Sequence, residues 1–190
     1  MGKLTLILGG ARSGKSTYAE KLAVRNSGRV AYIATAQALD AEMQARIAIH
    51  RQKRPDSWKT YEIPIGVGRV LLDNPLQAEV ILLDCLTLLV ANRLLEAAPD
   101  VDQPDEAVAT AKVESEIDEL LMAIRSSPAE WIVVSNEVGL GLVPPYPLGR
   151  IYRDLLGWAN QRVVSVAGKV VFMIAGIPMR LEADPDQGVV

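Results

Sequence analysis

The stretch LTLILGGARSGKST, residues 4–17, constrains the fold more than any other part of this chain. An apolar run of strand length leads into Gly9–Ser16, which has the spacing G-x-x-x-x-G-K-[ST], and the helix-like YAEKLAVR follows at once. Gly9, Gly10 and Gly14, with Ala11, Arg12 and Ser13 among them, allow successive backbone N–H groups to turn toward phosphate oxygens. The helix that follows offers its positive N-terminal end, Lys15 can reach the β and γ phosphates, and the Ser16 hydroxyl can ligate Mg²⁺. A strand, a phosphate loop and a helix in this order predict a P-loop NTPase-type α/β fold.

Further apolar runs at residues 30–34, 80–83, 131–134 and 170–175 read as strands buried on both faces. Helical spacing fills residues 16–25, 40–52, 105–125 and 148–166 between them. Strands alternating with helices predict a mostly parallel sheet flanked by helices in a single domain, residues 1–181. The acidic, proline-bearing residues 96–107 suit an exposed connection, and the aperiodic residues 182–190 are expected to fray.

Composition excludes several classes. A formal net charge of −3 gives no overall basic surface for nucleic acid, so no nucleic-acid partner is expected. Cys85 is the one cysteine, which rules out an internal disulfide and suits a cytoplasmic setting. The most apolar stretch, residues 80–91, is interrupted by Asp84 and falls short of the roughly 20 residues a membrane span needs.

Asp84 closes the run VILLD, where an acidic residue at the carboxyl end of a strand would serve the Mg²⁺ of a phosphate loop. Its alternative role is an N-cap for a helix that starts near Leu86. His50, the only histidine, is followed by Arg51, Lys53 and Arg54. Asp40 can cap its helix, Glu42 and Arg46 stand four apart, and Leu39, Met43, Ile47 and His50 share one stripe. The residue reads equally as a helix C-terminal histidine favoured by the dipole or as a nucleophile beside an anion. The loop SNEVGLGLVPPYPLGR, residues 135–150, also follows a strand, with Asn136 and Glu137 as its polar candidates.

Taken together, GGARSGKS, YIATAQALDAEMQARIAIHRQKRPDSW, LLDCLT, SNEVGLGLVP and YRDLLGWANQ resemble the bifunctional adenosylcobinamide kinase and adenosylcobinamide-phosphate guanylyltransferase family. The resemblance runs from about residue 3 to 176. It implies Gly9 to Ser16 as the phosphate loop, with Lys15 catalytic and Ser16 and Asp84 toward Mg²⁺. It implies Ala34, Thr35, Ala36, Arg51, Gln52, Lys53, Arg54 and Asp84 as nucleotide contacts, and Glu62 as a contact to a guanine nucleotide. His50 becomes the residue that is guanylylated. Asp84 departs from the glutamate expected there and is one methylene shorter. The implied substrates are ATP, GTP, adenosylcobinamide and its phosphate, and the implied assembly is a homo-oligomer, a homotrimer. An imidazole suits the transfer chemistry, because with a pKa near 6.5 it is roughly three quarters neutral at pH 7.

Overall fold

The structure is a computed structural model that describes residues 4–26, 28–38, 41–52, 54–98 and 100–182; of Asn26, Glu42, Met43, Arg46 and His50 it describes the backbone alone. Residues 183–190, expected to fray, and the expected cap Asp40 lie outside the described residues.

Strand β1 (Leu4–Gly9) feeds helix α1 (Lys15–Asn26), and β2 (Val30–Ala34) feeds α2 (Ala41–Gln52). Next come β3 (Lys59–Glu62), α3 (Val67–Asp73), β4 (Val80–Asp84), α4 (Leu86–Ala97), α5 (Glu106–Ser126), β5 (Glu130–Val134) and α6 (Pro147–Val164). The last described elements are a hairpin of β6 (Lys169–Ile174) and β7 (Ile177–Leu181). The sheet order is β3-β2-β4-β5-β1-β6-β7, with every pairing parallel except β6 with β7. The predicted mostly parallel α/β sheet is what forms.

Two apolar layers cover the sheet. On one face Ala19 and Ala23 of α1 pack on Ile7, Tyr32, Leu82 and Val134. On the other, α3, α4, α5 and α6 cover Leu6, Ile33, Leu83 and Val133. Helix α2 contributes no fully buried side chain among those described, so it lies over the carboxyl edge instead of inside a layer.

Two local expectations change. Asp105 caps α5 by accepting from the Val108 amide at 3.0 Å, which places the helix start one residue later than expected. β6 was expected to be buried on both faces, but its second face, shared with β7, is half open: Ile174, Ile177, Met179 and Leu181 are all exposed. Val170 and Phe172 of β6 still pack against the helical core on that face, whereas the residues of β7 are exposed.

Candidate active site

Parallel strands deliver their carboxyl ends to one edge, and the phosphate loop rises there from β1. Gly9 adopts φ 147°, and a Cβ at this position would meet the Met173 carbonyl oxygen at 2.5 Å. Only glycine lets the loop leave the strand so close to β6. The Ser13 amide donates to the Gly10 carbonyl at 3.3 Å, and the Gly176 amide, from the β6–β7 turn, donates to the Ser13 carbonyl at 3.0 Å. Lys15 is 8% exposed, and its ammonium donates to the Gly10 carbonyl at 2.7 Å. Burial lowers its pKa from the ordinary lysine value, and Cys85 and Asp84 oppose that shift.

Asp84 ends β4, separated from β1 by β5. Its Oδ2 accepts from the Tyr32 hydroxyl at 2.7 Å. The N-cap of α4 is Cys85, and no side chain caps that helix, so Asp84 does not have the capping role that was its alternative. The Asp84–Cys85 peptide is cis. Burial, then the charge of Asp84, pushes the Cys85 thiol up to about 12, which keeps it neutral at physiological pH and out of nucleophilic chemistry.

A cavity of about 560 Å³ runs along the loop from Ala11 to Thr17 and reaches Asp84, Cys85 and Asn136. A second cavity of about 270 Å³ shares Ser16, Asp84, Cys85 and Asn136 with it and continues past Tyr32, Ala34, Ala36, Ile47, Arg51, Arg54 and Glu62. The two form one continuous cleft from the phosphate loop to α2 and β3.

The expected site residues separate within this cleft. Ala34, Ala36, Arg51, Arg54, Glu62 and Asp84 line it. The Arg51 guanidinium pairs with the Glu62 carboxylate, both more than half exposed. Arg54 lies over the Tyr32 ring, its Cζ 3.5 Å from the ring centre, and its buried Nε has no hydrogen-bond partner among the described residues. Thr35, expected as a nucleotide contact with its neighbours, is fully buried. Its hydroxyl donates to the Cys85 carbonyl and accepts from the Cys85 amide, both at 2.8 Å, so it ties the ends of β2 and β4 together. Gln52 is exposed and lines neither cavity. Lys53 lies outside the described residues, as does the side chain of His50. The His50 backbone is in α2, directly before Arg51 and three residues after Ile47, both in the cleft wall.

Several site-building residues escaped sequence reasoning. Tyr32 reads as an ordinary core aromatic, and only its partner reveals its hydroxyl. Asn92 reaches from α4 to the Thr35 carbonyl at 2.8 Å and the Pro64 carbonyl at 2.9 Å, joining the segments that carry Ala36 and Glu62. Glu116, 2% exposed, accepts from the Gly66 amide at 2.8 Å and the Val67 amide at 3.0 Å, and pairs with Arg93. Asn136, a candidate from its loop, lines both cavities; its amide donates to Thr87 Oγ1 at 2.7 Å, and its carbonyl accepts from Asn160 at 3.0 Å.

The cleft has the donor types for a hard divalent cation: one hydroxyl from Ser16 and one carboxylate from Asp84. No cluster of three or more His, Cys, Asp or Glu able to hold a metal exists among the described residues. Such a sparse donor set fits Mg²⁺ carried mainly by phosphates and water, and does not fit an all-protein cage. No helix of the described residues is long and apolar enough to cross a membrane.

A family model described as cobinamide kinase / cobinamide phosphate guanyltransferase matches residues 5–181. The chain is 43% identical over 180 residues to the bifunctional adenosylcobalamin biosynthesis protein CobP of Pseudomonas aeruginosa, a match covering 95% of this chain and 98% of the relative. It is 40% identical over 182 residues to the bifunctional adenosylcobalamin biosynthesis protein CobU of Escherichia coli, covering 94% and 99%. The Salmonella typhimurium CobU is 39% identical over 181 residues, covering 94% and 99%. Among solved structures, the RadB recombinase superposes with a TM-score of 0.48 at 17% identity, covering 90% of this chain and 74% of that chain.

Proposed function

Because this chain belongs to the cobinamide kinase / cobinamide phosphate guanyltransferase family, we propose that its single cleft performs both reactions of adenosylcobalamin biosynthesis in turn. The observation that carries this reading is the continuity of the cleft: the phosphate loop at one end and the helix of His50 at the other share Ser16, Asp84 and Asn136. A nucleoside triphosphate can lie along it with its phosphates on residues 9–16 and its base side toward Ala34, Ala36 and Glu62.

In the kinase step the hydroxyl of adenosylcobinamide attacks the γ-phosphate of ATP or GTP, the bond from that phosphorus to the β–γ bridging oxygen breaks, ADP or GDP leaves, and the hydroxyl proton passes to solvent. Lys15 neutralises charge on the transferred group, and the loop amides hold the β-phosphate. When bound, Mg²⁺, held through Ser16 and Asp84, supplies further neutralisation of the phosphates. In the transferase step a neutral His50 attacks the α-phosphate of GTP, the bond from that phosphorus to the bridging oxygen breaks, and pyrophosphate leaves. The phosphate of adenosylcobinamide phosphate then takes GMP from His50, which gives adenosylcobinamide-GDP and frees the histidine. Arg51 and Arg54 line the cleft beside α2, where guanidinium charge suits the phosphate oxygens of the leaving pyrophosphate.

The substrates place this work in the cytoplasm, where ATP and GTP are supplied. The assembly is a homo-oligomer, a homotrimer by family resemblance. In its support, Ile174 and Ile177 form an exposed cross-strand pair, and Met179 is exposed on the same sheet face. Light scattering should return three chain masses.

The test of the two-step reading is isotopic. Incubation with Mg²⁺ and GTP labelled at the α-phosphate should leave a covalent label that survives denaturation and is released by acid, as a phosphoramidate would be. GTP labelled at the γ-phosphate should leave none. Absence of the α label under conditions that support phosphorylation would reduce the protein to a plain kinase.

A further inference from the structure

Tyr32 stands on β2 with 2% of its surface exposed, where phenylalanine would fill the layer equally well. Its hydroxyl therefore needs a reason. Tyr32 pairs with Leu82 and Ala34 pairs with Asp84 across the β2–β4 ladder. Residues two apart on a strand share a face, so Tyr32 lies one pleat behind Asp84 on the same side of the sheet. A phenol is long enough to span that step, and its O–H donates to Asp84 Oδ2 at 2.7 Å.

The ring has contacts of its own. Arg54 lies 3.5 Å over its centre, and the Trp58 ring stacks at 6.2 Å and 28°. Both residues come from the segment that follows α2. One side chain thus touches the carboxylate of the cleft through its oxygen and the cationic segment through its π face.

We infer that Tyr32 is a positioning residue: its hydroxyl commits one oxygen of Asp84 to the protein and orients the other for the cation, while its ring seats Arg54. Among the described residues the Asp84 carboxylate accepts no other hydrogen bond. A carboxylate on so short a side chain has few rotamers, and a single strong donor selects among them. The inference rests on the proposed reading of Asp84 as the residue that holds Mg²⁺ with the nucleotide.

Tyr32→Phe keeps the ring and removes the bond. Calorimetric titration of GTP at several Mg²⁺ concentrations should give wild-type affinity without the cation. The Mg²⁺ concentration for half of the tightening should rise roughly tenfold to a hundredfold, the worth of one hydrogen bond to a charged group. The kcat for phosphorylation should fall by a similar factor while the nucleotide KM stays within about twofold. Trp58 fluorescence should be unchanged, which shows the stack intact. Asp84→Asn should lose the same Mg²⁺ response, and the double variant should lose no more than Asp84→Asn alone. A wild-type Mg²⁺ response in Tyr32→Phe, or additive losses in the double variant, would overturn the inference and leave the reading of the site in place. A wild-type protein whose GTP affinity ignores Mg²⁺ would overturn both.

Discussion

The ammonium of Lys15 lies 2.7 Å from the carbonyl oxygen of Gly10, folded back onto its own loop. A charge held this way is poised to exchange one carbonyl for phosphate oxygens, which are stronger partners.

Its burial has a measurable cost. The folded chain lowers the Lys15 pKa, so the charged form works against folding at every pH below the folded pKa, and the penalty fades as pH rises through 10.5. Lys15→Met should therefore raise stability at pH 7 by roughly 1 kcal/mol while abolishing both reactions. Thermal unfolding across pH checks the sign: the advantage should shrink on approach to pH 10.5. A fall in Tm at pH 7 would show that the bond to Gly10 outweighs the desolvation.

His50→Asn should separate the two activities. Phosphorylation of adenosylcobinamide should remain within about threefold of wild type, while GMP transfer and α-phosphate labelling disappear, because only the second reaction needs a nucleophile on the protein. Parallel assays of both products on one preparation decide it; loss of both activities in a folded variant would end the separate-carrier reading.

Arg54→Ala should reduce transfer roughly tenfold or more and phosphorylation by about twofold, since its guanidinium sits at the α2 end of the cleft and not at the phosphate loop. Arg54→Lys should recover little, because a lysine cannot reproduce the flat stack on Tyr32. Equal losses in both reactions would place Arg54 in general nucleotide binding.

Neighbouring glycines should behave oppositely in unfolding. Gly9→Ala drives a methyl into the Met173 carbonyl at positive φ and should cost about 2 kcal/mol or more. Gly10→Ala meets nothing within 4 Å and should fall within about 0.5 kcal/mol of wild type. Urea midpoints of the two variants provide the comparison.

The sequence made some strands easier to read than others, for a physical reason. β1, β2, β4 and β5 are covered on both faces, so they appear as unbroken apolar runs. KTYE and IPMRL, which form β3 and β7, are edge strands whose residues are mostly exposed, and nothing in their composition separates them from loop. The phosphate loop was legible because its chemistry is contiguous. The Tyr32 link to Asp84 was not, because it joins positions 52 apart in sequence. Thr35 shows the same limit: the two bonds that its hydroxyl makes with the Cys85 peptide join positions 50 apart in sequence. Glu116 likewise resembled one more charge on a long helix until the fold set it against the start of α3.

The one reversed strand also decides how the molecule can be handled. Leu181 at the end of β7 pairs with Val170 near the start of β6, and Leu4 opens β1, so both lie at the edge of the sheet opposite the cleft. A linker, fluorophore or surface tether joined before Leu4 or after Leu181 departs from the back of the protein and leaves the cleft mouth unobstructed. Had the sheet ended in parallel at Ile174, the same attachment would emerge beside the phosphate loop.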